Sequence, residues 1–511
     1  MPTSTTIFVG ETERGPIVPT KIKGRREYER LFGGYQREVN GGTNERVLMP
    51  LMMDGFFQNG GGSCYILRAL DDVGGLVKAS RSLGGSKVAE AAYEGFWGNS
   101  VSVVFAKSSD DDAARWRMVV FYKDPTTSKT SLVEDWDKLS ANASDPNFVV
   151  DVLQRSLFIR WPDGVTAKRP LDADLDVTAL PATRTALENA AGASVLAAGS
   201  GGGAAAHLTA ANLLADHLPK LEGIDDAALL VAAAEQLLDD AVGQEQAYKD
   251  ITKAFVEYCR DGRPKQDLFF IGDLPRLVRS TVSGSVKDAR AAKNGITSDH
   301  FSAVYWPHIQ IQDPIGAGIN PTLVIPPAGH IAGIFARTDG RRGVWKAPAG
   351  LEAGVGGIKG LDLKLLDAHS ADLNPVGVNA LRNMPGAGSV VWGARTMMPA
   401  TEWRYVPVRR TAIFLRMSIY NSIQWAVFEP NDEPLWSALR TSIGAFMKTQ
   451  FRNGAFAGRT DKEAYFVKCD SETTPEADQI AGIVNVLVGF APLRPAEFVV
   501  VKLSQITQGA S

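Results

Sequence analysis

The chain has 511 residues, 45% hydrophobic and 22% charged, which gives room for about two to four packed domains and excludes disorder throughout. Its 54 basic and 57 acidic residues leave a net charge of −3, without the basic excess that nucleic acid as main partner requires. No apolar run reaches the roughly 18–20 residues that span a bilayer, and Met1-Pro2-Thr3-Ser4-Thr5-Thr6 lacks a signal-peptide pattern, so no direct membrane insertion is expected.

In chain order, Thr5 to Gly10 reads as a short apolar strand ended by glycine. Residues 25–32 and 45–59 have helical spacing. Leu48, Leu51, Met52 and Phe56 fall on one stripe, and Asn59-Gly60-Gly61-Gly62 stops that helix. Residues 63–68 form a second strand. After Gly74-Gly75 and Gly84-Gly85 the pattern changes to strands at 101–105, 116–122 and 157–161, parted by turns such as Asp110-Asp111-Asp112. The Ala-rich stretch 163–203, ending in Gly199-Ser200-Gly201-Gly202-Gly203, reads as a flexible boundary. The α/β rhythm returns with strands at 227–231, 267–272 and 302–306 and a helix at 244–259 carrying Ile251, Phe255 and Tyr258 on one stripe. Near-continuously apolar strands alternating with helices require a sheet covered on both faces.

From Gly377 a last unit is expected. It holds a helix at 411–424 and a second begun by Asn431-Asp432-Glu433-Pro434, with Leu435, Leu439, Ile443, Phe446 and Met447 as its core stripe. Strands follow at 464–469, 484–488 and 497–503. The expected fold class is therefore α/β and α+β multidomain. Residues 1–72 and 204–376 make one doubly wound α/β domain, 73–203 a mostly β insertion with its flexible boundary, and 377–511 a small α+β domain.

Chemistry is sparse. The six histidines show no metal-binding spacing, there is no Cys-x-x-Cys, and no Gly-x-Ser-x-Gly elbow occurs. Cys64, Cys259 and Cys469 are far apart, which fits a reducing compartment without a disulfide framework. Gly354 to Gly360 lacks the Gly-Lys-Ser/Thr ending of a phosphate loop and reads as a surface turn. No catalytic, cofactor or metal site is expected, and a structural protein is expected rather than an enzyme. Arg404, Arg409, Arg410 and Arg416 cluster around the helix start. They fit either internal salt bridges or a subunit interface. Phe498, Val499, Val500 and Val501 make the last strand apolar on both faces. Such a strand is either central in its own domain or donated to a neighbour's sheet, since a free edge would template aggregation.

Ordered blocks along the chain carry a family resemblance. They include residues 8–16, 56–62, Gly95-Phe96-Trp97-Gly98-Asn99, residues 327–333, 336–339 and 343–349, Val391-Trp392-Gly393-Ala394-Arg395-Thr396, residues 403–410 and Ala491-Pro492-Leu493-Arg494-Pro495-Ala496-Glu497-Phe498. Together they resemble the sheath proteins of contractile phage tails, R-type pyocins and extracellular contractile injection systems. The resemblance implies a subtilisin-like α/β domain without its catalytic triad and a C-terminal sheath domain facing an inner tube. It implies stacked hexameric rings that contract from a metastable extended state, with inner tube, baseplate and tail-terminator proteins as partners. It also implies assembly in the bacterial cytoplasm into a virion tail or tail-like particle. A baseplate-proximal or capping relative and an α/β hydrolase are the rival readings. Strand exchange is expected at Glu497, Phe498, Val499, Val500, Val501, Lys502 and Leu503, and tube contact at Lys448 and Arg452. Only Met1 to Ser4 precede the first strand, so the expectation is that the family's N-terminal exchange is absent, that the start is shortened, or that this is a specialised sheath subunit.

Overall fold

The computed structural model describes residues 2–36, 47–70, 75–83, 86–180, 182–192, 194–199, 211, 213–234 and 244–497. An eight-stranded sheet organises the centre. Its order is Gly388–Val391, Val378–Met384, Ser302–Trp306, Phe269–Asp273, Leu229–Ala233, Thr6–Gly10, Cys64–Arg68 and Thr20–Ile22. The six inner strands run parallel, and the strand at each edge is antiparallel to its neighbour. Ile7, Phe8, Val9, Leu229, Leu230, Val231 and Ile271 are buried, which explains their unbroken apolar runs. Helices Leu48–Gln58 and Gln244–Glu257 pack on the sheet through Phe8–Phe56 (5.5 Å between ring centres) and Phe255–Phe270 (5.3 Å) contacts.

Helix Ala328–Arg342 lies in the core against helix Leu48–Gln58. Glycines permit the approach. A Cβ on Gly333 would stand 2.4 Å from the Phe56 carbonyl oxygen, and one on Gly329 would stand 2.4 Å from that of Met52. Backbone cannot yield as a flexible side chain does. Gly333→Ala is therefore expected to cost about 1–3 kcal/mol in denaturant unfolding. Gly340, on the same helix with nothing within 4 Å of its Cβ position, is the control. Its change to alanine should be neutral or stabilising by up to about 1 kcal/mol. Equal behaviour of the two variants would refute the close-packing explanation.

Asn59 at the end of helix Leu48–Gln58 holds the 354–360 turn in place. Its Oδ1 accepts from the Gly356 N–H at 2.8 Å, while Arg337 donates to the Gly354 carbonyl at 2.7 Å. The turn expected on the surface is thus fastened to the end of one helix and to a side chain within another.

The insertion forms two antiparallel sheets. One comprises Val101–Lys107, Arg115–Lys123 and Thr130–Ser140; the other comprises Ser80–Leu83, Ser86–Ala91 and Ile159–Arg160. Phe105, Trp116 and Met118 anchor their shared core. Asp110 and Asp111 pair with Arg115 and Lys107, as a solvated turn would. Part of the expected flexible boundary is helical. Thr183 caps helix Arg184–Ala191, whose Leu187 and Ala191 pack on Val104, Val119 and Phe121. Alanine-rich sequence favours such a helix once one face finds a partner.

The expected division at Gly377 falls within the segment that completes the central sheet, because strands Val378–Met384 and Gly388–Val391 follow it. Helix Val406–Ser422 serves two cores. Val406, Ile413 and Met417 join the central one, whereas Leu415 and Ile419 join that of the C-terminal unit. Helix Glu433–Arg452 begins at Asp432, whose carboxylate accepts from the Leu435 N–H, and lies against a two-stranded antiparallel sheet of Tyr465–Lys468 and Leu487–Phe490. The second strand starts later than expected because Val484 and Val486 pack under the helices. Of the third expected strand, only Glu497 lies within the described residues.

Candidate assembly surfaces

The four arginines do not share one surface. Arg410 is buried and forms a two-pronged ion pair with Asp339 (3.0 and 2.6 Å). It also donates to the Thr3 carbonyl at 2.8 Å and lies over the Phe335 ring. Arg409 stacks between Phe301 (3.7 Å) and Trp403 (4.8 Å), and burial, followed by the charge of Arg416, pushes its pKa down to about 10. Arg416 reaches back to the Lys265 and Gln266 carbonyls. Arg404 is exposed, with its Nε donating to the Pro399 carbonyl at 2.6 Å. Arg416 is exposed as well. Arg410 instead joins the first residues, the central helix and the C-terminal helix of one chain.

Lys448 and Arg452 both stand exposed on the last two turns of helix Glu433–Arg452. Lys448 pairs loosely with Asp461 at 3.6 Å, and Arg452 has no ion-pair partner among the described residues. Their charges complement the helix C-terminus.

The segment 491–497 is held at two places. Near its start, Ala491 donates to the Ala464 carbonyl (2.8 Å), and its own carbonyl accepts from the Ala457 N–H (2.9 Å). At its end, Glu497 receives two hydrogen bonds from Arg395, the Nε–Oε1 one at 2.9 Å, and a longer one from the Tyr405 hydroxyl at 3.4 Å. The Arg395 and Glu497 side chains are only 12% and 15% exposed. A groove of about 650 Å³ lies between these anchors, lined by Trp345, Lys346, Trp392, Asn453 and Arg494.

Arg395 is itself fixed by Asn379, a fully buried residue on strand Val378–Met384. The Asn379 amide accepts from the Arg395 N–H at 2.7 Å and donates to the Arg395 carbonyl at 2.8 Å. Sequence reasoning did not connect Arg395 with Glu497. They lie in separate family blocks 102 residues apart, and no spacing rule links them.

Comparison with known proteins agrees with this architecture. The family described as phage tail sheath protein central domain matches residues 225–397, and that described as phage tail sheath C-terminal domain matches residues 399–506. A tail sheath protein of Vibrio phage KVP40 is 31% identical over 154 residues, 30% of this chain and 22% of that protein. A putative prophage major tail sheath protein of Pseudomonas aeruginosa is 25% identical over 199 residues, 37% of this chain and 48% of that protein. The matches thus span between about a fifth and a half of those relatives. Among solved structures, a chain of the anti-feeding prophage baseplate is similar at TM-score 0.58 and 20% identity, covering 99% of this chain and 94% of that one. A chain of the PVC sheath complex, an extracellular contractile injection system in the contracted state, is similar at TM-score 0.57 and 22% identity, covering 99% and 93%. Two sheath families matched in consecutive order over more than half of the chain, on a fold of the same overall arrangement, identify it: the chain belongs to the contractile tail sheath family.

Proposed function

We propose that this chain is a structural subunit that polymerises as stacked hexameric rings around an inner tube and contracts from a metastable extended state to drive that tube through a target envelope. The consecutive sheath-domain matches over residues 225–506 carry this reading. The central sheet is then the counterpart of a subtilisin-like domain without catalytic work, and no nucleotide is consumed. The energy comes from rigid bodies moving into a lower-energy packing, which requires bistable interfaces joined by links that survive the motion.

Strand donation supplies such a link. Among the described residues the C-terminal sheet has two short strands, and its outward face shows Phe466 and Leu487, each 53% exposed. Two-stranded sheets are marginal alone and gain from added strands. Residues 497–503 of one copy are the donor, and a neighbour's Tyr465–Lys468 and Leu487–Phe490 pair is the acceptor. Inner tube, baseplate and tail-terminator proteins are the further partners. Assembly takes place in the bacterial cytoplasm, and the product is a virion tail or tail-like particle.

The full chain should therefore form open-ended tubes with a cogwheel-like cross-section, visible by negative-stain electron microscopy and growing with concentration. A closed oligomer of fixed size would instead support the baseplate-proximal or capping reading. Lys448→Glu with Arg452→Glu is expected to abolish co-sedimentation with tube protein while leaving the fold intact. Undiminished co-sedimentation would remove this helix end from the tube contact.

A further inference from the structure

We infer that residues 491–497 form a proline-stiffened strut between two parts of the subunit, and that Arg395 is a positioning residue that fixes where the donated strand departs. This deepens the strand-donation reading and rests on it. The strut's first anchor is the C-terminal unit, through the Ala457–Ala491 and Ala464–Ala491 backbone bonds and the Phe456–Pro492 bridge. Its second anchor is the central domain, through Arg395 and Glu497. Between them the chain borders the groove, and residues 493–496 have no ladder partner among the described residues.

A free tether would need neither anchor, and three features argue for a rigid element. Pro492 and Pro495 lock φ at two of the seven positions, which favours an extended, stiff backbone. The Arg395–Glu497 pair is two-pronged and mostly withdrawn from water, so it is stronger and more directional than a surface ion pair. Arg395 is also oriented from within the sheet: Asn379 holds its backbone, and its Nη1 donates to the Asn374 carbonyl at 2.9 Å. The position of Glu497 is thereby set relative to both units of the subunit. A donor strand held in place in this way loses less conformational freedom when it pairs.

The test uses the full-length chain with Ala496→Cys carrying a nitroxide label; Cys64, Cys259 and Cys469 are buried and should not react. The label should be restricted in the parent and mobile in Glu497→Gln and Arg395→Met, with melting temperature little changed. The critical concentration for tube formation should rise about five- to tenfold, because the strand must be ordered anew. Equal restriction of the label in Glu497→Gln would overturn the strut. A mobile label with an unchanged critical concentration would overturn the positioning role. Normal polymerisation of the chain truncated after Arg494 would overturn strand donation itself, whatever the label shows.

Discussion

Removing every residue after Arg494 is expected to leave a folded, soluble monomer that no longer forms tubes. Among the described residues, the buried cores of both the central and C-terminal units lie before that point. Within the described part the cut removes one ion-pair partner, Glu497, from a site where Arg395 keeps its bond to the Asn374 carbonyl. Folding should survive. Assembly should not, because a donated strand of about six residues makes several intersubunit backbone hydrogen bonds, each worth about 0.5–1.5 kcal/mol net. Losing about 4 kcal/mol per subunit raises the concentration needed for polymerisation roughly a thousandfold. Sedimentation and negative-stain imaging of the purified truncation would measure this, and normal-looking tubes would reject the donated strand as the link.

Arg410→Ala should have the largest effect on the fold itself. The Arg410 and Asp339 side chains are 3% and 4% exposed, so the substitution strands a buried carboxylate and frees the Thr3 carbonyl. Breaking a buried pair from one side costs about 3–5 kcal/mol. Replacing both partners at once, Arg410→Met with Asp339→Leu, should recover most of that loss, since neither charge then remains buried alone. Denaturant midpoints of Arg410→Met, Asp339→Leu and the double variant form the cycle. A cost below about 1 kcal/mol for Arg410→Ala would show that this pair does not hold the junction. The same burial makes Arg410 a determinant of folding rather than a surface for a neighbour, whereas Arg404 and Arg416 are exposed.

Much of the central sheet was legible from the sequence because buried parallel strands read as unbroken apolar runs, as at Ile7-Phe8-Val9 and Leu229-Leu230-Val231. Helix Ala328–Arg342 was legible only as a family block. Its first nine residues are buried on every side, so no polar face breaks the pattern, and three glycines along the helix dilute helical propensity. Strand Thr130–Ser140 was missed because all but its last two residues are exposed or half-buried and it has no apolar alternation. Helix Val406–Ser422 starts five residues before the expected Thr411; Pro407 in its first turn was the available signal. The strut could not be read at all. Its proline spacing is visible, but the partner at Arg395 is set by tertiary folding.

A helical reconstruction of tubes grown from the full-length chain tests strand donation most directly. The account predicts that residues 498–503 of one copy lie beside Tyr465–Lys468 or Leu487–Phe490 of a neighbouring copy, extending its two-stranded sheet. Finding that segment paired within its own subunit, or tubes in which no strand crosses between subunits, would contradict it.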